Sequence, residues 1–289
     1  MLKYRLMSGT LLVVLLAVIA FVDHPVARLL FAGLCAFVVW ASLHEYFGMM
    51  ARIGHPGFPR LTLVASLALL ASAFPEVAWL GGTPAQVAIP LLYLLVGFCL
   101  VFRSADLRKG LLDLLASLGG LAYLGWTLAF LVRVYSHGEG RQGALLFFFL
   151  ILVTKCGDIG GYTLGLTTAR RPRGNHKMVP TLSPKKSWEG FFGSLLFSAL
   201  AGALIPLAAG GALMGHGVVA VTPLSGAAMG LVLAAVGLVG DLAESVIKRA
   251  AGAKDSGNTL PGMGGVLDVI DSLVFVGPLF YVYLLLRVA

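Results

Sequence analysis

The chain has 289 residues, 58% of them hydrophobic and only 12% charged, with a formal net charge of +8 and a mean hydropathy of +0.93. A soluble domain carries about 25% charged residues, and one soluble core of this size cannot hide so much apolar surface. That excludes a water-soluble enzyme and a disordered chain, and the 37 glycines follow no three-residue period that would suggest a collagen-like repeat.

A membrane helix needs roughly 20 mostly apolar residues. Taken in chain order, the stretches that qualify are 7–22, 26–43, 61–80, 86–103, 111–134, 143–165, 190–214, 225–247 and 266–287. The expected fold is therefore an all-α polytopic integral membrane protein with about nine transmembrane helices. Residues 1–140 carry about five spans and residues 141–289 carry the rest, in one continuous integral domain. Lys3 and Arg5 ahead of Leu11–Val22 also outline a signal peptide. The Asp23-His24-Pro25 that follows offers no small-residue cleavage site, so this stretch is expected to stay as the first helix.

Lys and Arg set the orientation. The N-terminus and the loops after spans 2, 4, 6 and 8 hold 16 of the 21 cations, the other side holds four, and Lys155 lies inside span 6. This predicts a cytoplasmic N-terminus in the cell membrane, with the basic loops 166–189 and 248–265 on the cytoplasmic face. Anionic headgroups or an anionic nucleotide suit such a face, and no nucleic-acid partner is expected. Cys35, Cys99 and Cys156 lie in apolar spans without metal or disulfide spacing. They read as small packing residues. Small residues in the spans also permit helix packing or a homodimer.

Charges within a bilayer are costly and mark function by default. Here they cluster. Asp241, Glu244, Ser245 and Lys248 fall at i, i+3, i+4 and i+7, one face of a helix. Arg249, Lys254 and Asp255 follow, then the Gly-rich turn Pro261-Gly262-Met263-Gly264-Gly265, then Asp268 and Asp271 at i, i+3. Carboxylates sharing a cavity repel one another unless a cation sits between them. Hard oxygen ligands suit Mg²⁺, which often takes one or two carboxylates plus substrate phosphates. A Gly-rich turn before a helix N-terminus suits phosphate oxygens. Together these features describe a metal–polyphosphate site.

A second cluster holds Lys155, Asp158 and Tyr162, then Ser183-Pro184-Lys185-Lys186-Ser187-Trp188-Glu189-Gly190. Lys155 and Asp158, at i, i+3, are expected to pair. Ser183 as N-cap and Pro184 at N1 predict the start of a short helix. Its lysines would reach phosphates, and Trp188 would stack on a base or sit at the interface. His176 reads as a loop residue. Arg170, Arg171 and Arg173 read as topology charges. His44 and Glu45 end span 2, where snorkelling to water accounts for them.

These residues resemble the phosphatidate cytidylyltransferases, or CDP-diacylglycerol synthases, over about 155–275. That family's signature runs Ser, Lys-Arg, Lys-Asp, Pro-Gly-His-Gly-Gly, then Asp-Arg-hydrophobic-Asp. The chain has Ser245, Lys248-Arg249, Lys254-Asp255, Pro261-Gly262-Met263-Gly264-Gly265 and Asp268-Val269-Ile270-Asp271 in the same register. Ser183 to Gly190 is similar to the family's Ser-Pro-Lys-Lys-Thr-Trp-Glu-Gly, and Asp158 and Tyr162 match the preceding span. Two positions depart: Met263 replaces the usual His and Val269 the usual Arg.

The resemblance implies a nucleotidyltransferase that joins CTP and phosphatidate into CDP-diacylglycerol and pyrophosphate. Asp241, Asp268 and Asp271, with Glu244 beside them, would hold Mg²⁺, and the family is associated with a second, monovalent cation. Lys248, Arg249 and Lys254 would hold phosphates, joined by Ser183, Lys185 and Lys186. Asp158 and Glu189 would orient basic groups or the metal. Tyr162, Trp188, Ser245, Asp255, Gly262, Gly264 and Gly265 would complete the substrate site. Two other readings stay open. One is a CTP-dependent lipid or polyprenol kinase, the other an ion-coupled transporter using the intramembrane carboxylates.

Overall fold

The structure, a computed structural model, describes residues 2–22, 24–77, 83–138, 141–172, 174–209, 221–262 and 264–288. Met263 and Arg173 lie outside the described residues. The helices are α1 (Leu2–Phe21), α2 (Pro25–Arg52), α3 (Pro59–Ala71), α4 (Thr83–Phe102), α5 (Leu107–Gly120), α6 (Thr127–Tyr135), α7 (Gln142–Ala169), α8 (Trp188–Ala209), α9 (Pro223–Ala250) and α10 (Leu267–Val288). A π-helical turn, Leu121–Trp126, joins α5 to α6. Among the described residues seven helical stretches are long and apolar enough to cross a membrane, with Leu107–Tyr135 counted as one. The chain is an integral membrane protein.

Over its described residues each expected span coincides with helix, with one shortened; residues 78–80 and 210–214 of the expected spans lie outside the described residues. Span 61–80 becomes α3, a 13-residue helix about 20 Å long, less than the roughly 30 Å hydrocarbon core. A turn at Ser72–Phe74 and a single 3₁₀ turn at Pro75–Val77 end its apolar run. The helix starts follow local chemistry. His24 Nδ1 accepts from Val26 N–H at 3.2 Å and Pro25 sits in the first turn of α2. Asp106 caps α5 by accepting from Lys109 N–H at 3.0 Å.

The chain divides into two compact units. One comprises Met1–Ser136 with Ile247–Ile270, and the other His137–Val246 with Asp271–Ala289. In the first, Tyr46 donates to the Ala116 carbonyl at 2.9 Å and Thr62 bonds Tyr93 at 2.8 Å. Its buried apolar side chains include Phe31, Leu43, Met49 and Leu124. The second is centred on α7 against α8, where Ser198 donates to the Val153 carbonyl at 3.0 Å.

The helix expected at Ser183 is a strand instead. β1 (Lys177–Val179) pairs antiparallel with β2 (Ser183–Ser187), with Lys177 opposite Ser187 and Val179 opposite Ser183. Pro184 lacks an N–H, and a two-stranded ribbon tolerates it because every strand is an edge. The capping serine lies four residues later. Ser187 Oγ accepts from Gly190 N–H at 3.1 Å, so α8 starts at Trp188.

Candidate active site

In the His137–Val246 and Asp271–Ala289 unit, α9 carries Asp241 and Glu244 one turn apart. With Asp271 of α10 they form a group whose nearest ligand oxygens all lie within 4.8 Å of one another. Glu244 is 1% exposed. Three carboxylates this close are a donor set for a hard cation, in both atom type and spacing. Lys186, on β2, places Nζ 2.6 Å from Asp241 Oδ2. The hairpin therefore delivers a lysine of the basic segment to the carboxylate group, as its position in the motif suggests.

Around this group, Lys155 and Asp158 of α7 pair at 2.9 Å as expected, and Lys155 also reaches Ser272 Oγ at 3.2 Å. Ser272 N–H donates to Asp271 Oδ1 at 2.5 Å. Glu189 turns back over the hairpin and accepts from His176 N–H at 3.1 Å and from Nδ1 at 2.6 Å. Its contact is thus to the His176 loop. Tyr162 is 71% exposed and Trp188 48% exposed, with Trp188 edge-on to Phe191. Lys185 is exposed and Ser183 half-buried on β2.

In the Met1–Ser136 and Ile247–Ile270 unit, Asp268 and Lys248 form a half-buried ion pair at 2.6 Å. The other Asp268 oxygen lies within bonding distance of Ser256 N (3.0 Å), Ser256 Oγ (2.8 Å) and Gly265 N (2.9 Å). Asp268, expected beside Asp271 as a cation ligand, thus has its oxygens occupied in organising the Gly-rich turn. Gly264 adopts φ +99, a conformation open chiefly to glycine. Leu260 and Gly264 exchange backbone hydrogen bonds across the turn. Gly262 is at its tip with φ +79, and Val269 lies in the first turn of α10. Arg249 donates to the Ala253 carbonyl at 2.9 Å, while Lys254 and Asp255 are exposed on the loop and Ser245 is buried on α9.

Glu45 corrects the expectation of snorkelling. It lies well inside α2, whose helix continues to Arg52, and it is only 5% exposed. Its Oε1 accepts from Thr259 Oγ1 at 2.6 Å and Val266 N–H at 2.9 Å. Its Oε2 meets Ser256 Oγ at 3.0 Å and accepts from Leu267 N–H at 2.9 Å. Val266 and Leu267 supply N–H groups that α10 leaves without helical partners at its start. A carboxylate there also complements the positive end of the helix dipole. Gly265 lies so close that a Cβ would collide with Glu45 and Ser256. Ser256, Thr259 and Ser272 join Glu45 as residues the motif reading passed over. The available signal was a carboxylate inside an apolar span.

The sequence profile of the cytidylyltransferase family matches residues 3–287. A phosphatidate cytidylyltransferase of Synechocystis is 32% identical over 288 residues, covering 89% of this chain and 88% of the relative. One from Staphylococcus epidermidis is 32% identical with 89% of each chain covered. Another from Mycobacterium leprae is 30% identical, with 86% of this chain and 79% of the relative covered. With seven membrane-length helices among the described residues and this carboxylate–lysine chemistry, the chain belongs to the cytidylyltransferase family and is a membrane-embedded nucleotidyltransferase.

Proposed function

We propose that the protein transfers the cytidylyl group of CTP to phosphatidate, giving CDP-diacylglycerol and pyrophosphate. The observation that carries this reading is the group Asp241, Glu244 and Asp271 with Lys186 paired to Asp241, in a chain similar to several phosphatidate cytidylyltransferases. A phosphate oxygen of the lipid attacks the α-phosphorus of CTP, and the bond from that phosphorus to the bridging oxygen of the departing pyrophosphate breaks. The nucleophile is already anionic, so no dedicated general base is needed. The work left to the protein is positioning and charge neutralisation.

Asp241, Glu244 and Asp271 would hold Mg²⁺, which when bound supplies charge neutralisation at the phosphates and the departing pyrophosphate. A second, monovalent cation belongs to the same proposal without an assigned ligand set. Lys186 and Lys248, each paired with a carboxylate, exchange that partner for phosphate oxygens. Lys185, Arg249 and Lys254 add positive charge for CTP or the lipid headgroup. Asp268 and Glu45 hold the Gly-rich turn in shape. The excess of Lys and Arg in alternate loops supports a cytoplasmic site in the cell membrane, open to CTP from water and to phosphatidate from the leaflet.

The test is a product assay with α-labelled CTP, phosphatidate and Mg²⁺ on the purified protein. Label in CDP-diacylglycerol with release of pyrophosphate is expected. Release of CDP with a phosphorylated lipid would establish a kinase instead, and flux into proteoliposomes without nucleotide turnover a transporter.

A further inference from the structure

Ser256 sits between two carboxylates. Its Oγ lies 3.0 Å from Glu45 Oε2 and 2.8 Å from Asp268 Oδ2. A hydroxyl carries one proton and rotates to suit its acceptor. An ionised carboxylate only accepts. With both acids ionised, one of the two contacts is a hydrogen bond at any moment and the other is not.

The two carboxylates are otherwise unlike. Glu45 also accepts from Thr259 Oγ1 and from the Val266 and Leu267 N–H groups. Asp268 accepts from the N–H groups of Ser256 and Gly265, and its other oxygen holds the Lys248 ammonium at 2.6 Å. While that ammonium is in place, the hydroxyl is worth more to Glu45. The Asp268 side chain is only 14% exposed, so losing Lys248 leaves a poorly hydrated charge, which is costly without a new donor. Ser256 Oγ is already within reach. Turning its proton from Glu45 to Asp268 moves no heavy atom, and Glu45 keeps its other three donors.

We propose that Ser256 is a positioning residue that lets Lys248 leave Asp268 for a phosphate oxygen. Its hydroxyl donates to Glu45 while Lys248 is on Asp268, and to Asp268 once Lys248 has moved. This rests on the reading of Lys248 as a phosphate-binding group. Ser256 touches neither substrate nor metal in this role. Its contribution falls on substrate binding and disappears when Lys248 is removed.

The experiment is a double-mutant cycle in steady-state kinetics, with the full-length protein in phosphatidate-containing detergent micelles, CTP and Mg²⁺. Lys248→Met identifies the substrate whose KM depends on Lys248. Ser256→Ala is expected to raise that same KM about five- to tenfold, the order of effect that one hydrogen bond to a charged group supplies. The kcat should stay within about threefold of wild type. In the Lys248→Met background, Ser256→Ala should change that KM less than about twofold, as a shared pathway predicts.

An equal rise in KM in both backgrounds, a loss that falls on kcat instead, or an unchanged KM in Ser256→Ala overturns the proposal, since a turn that is merely loosened acts without regard to Lys248. Should Ser256→Ala not fold, Ser256→Cys, with a weaker donor, takes its place in the cycle. Failure of both to fold assigns the hydroxyl to the fold alone and overturns the proposal equally. No turnover in wild type, or no effect of Lys248→Met on either KM, removes the phosphate-binding reading of Lys248 and this inference with it. That outcome is distinct from the case in which Lys248→Met acts and Ser256→Ala does not.

Discussion

Glu45 Oε2 accepts the backbone N–H of Leu267 at 2.9 Å, across 222 residues of sequence. Helix α2 thereby caps the start of α10, and the Gly-rich turn between α9 and α10 is folded against a carboxylate from the N-terminal part of the chain. Replacing Glu45 by Gln puts an amide N–H among donors. Glu45→Gln should cost about 3 kcal/mol of stability, since several buried donors lose their acceptor. Thermal unfolding in detergent should fall by roughly 5 °C or more, and limited proteolysis should open the 251–266 segment.

Asp241 and Asp271 should resist even a conservative replacement. Asp271→Asn should lower pyrophosphate release at least about a hundredfold at any Mg²⁺ concentration, because a ligand and a charge are lost together. Chelation should abolish turnover in wild type, and added Mg²⁺ should restore it. Titrating Mg²⁺ against rate in both proteins checks this.

Lys248 and Asp268 form a half-buried pair at 2.6 Å, and Asp268 also holds Ser256 and Gly265. Asp268→Ala should abolish Mg²⁺-dependent pyrophosphate release, by collapsing the turn and stranding Lys248. Lys248→Met should leave the turn bonds intact and act mainly on substrate binding. Steady-state kinetics should show a raised KM for CTP or phosphatidate in Lys248→Met and loss of kcat in Asp268→Ala.

Ser187 caps α8 through Gly190. Ser187→Ala should cost about 1 kcal/mol and loosen the hairpin that presents Lys186 to Asp241. Lys186→Met should cost much more activity than Ser187→Ala, at little cost in stability. Unfolding temperature and turnover measured side by side separate the two.

The predicted orientation can be read with one new thiol. Asp255→Cys, in a background with Cys35, Cys99 and Cys156 changed to Ser, should react with a membrane-impermeant reagent in inside-out vesicles and stay unlabelled in intact cells.

What the residues alone determined was everything that depends on neighbours along the chain. Apolar runs of membrane length are visible one at a time, because each helix satisfies its own backbone within the bilayer. The i, i+3 spacing of Asp241 and Glu244 is equally local, and so is the glycine pattern of the turn. The Ser183 segment misled for the complementary reason. A Ser-Pro start is compatible with a helix, and only pairing with Lys177–Val179 made it a strand. Tertiary structure decided the partners. Glu45 looked like a helix-end carboxylate until Thr259, Val266 and Leu267 were folded onto it. Lys155 looked paired with Asp158 alone until Ser272 came within reach. Asp268 bonds Lys248 and Ser256, which the turn brings back to it, while Asp271, one helical turn on, groups with Asp241 and Glu244. The composition announced a membrane protein short of charge, and the fold decided which of those few charges meet.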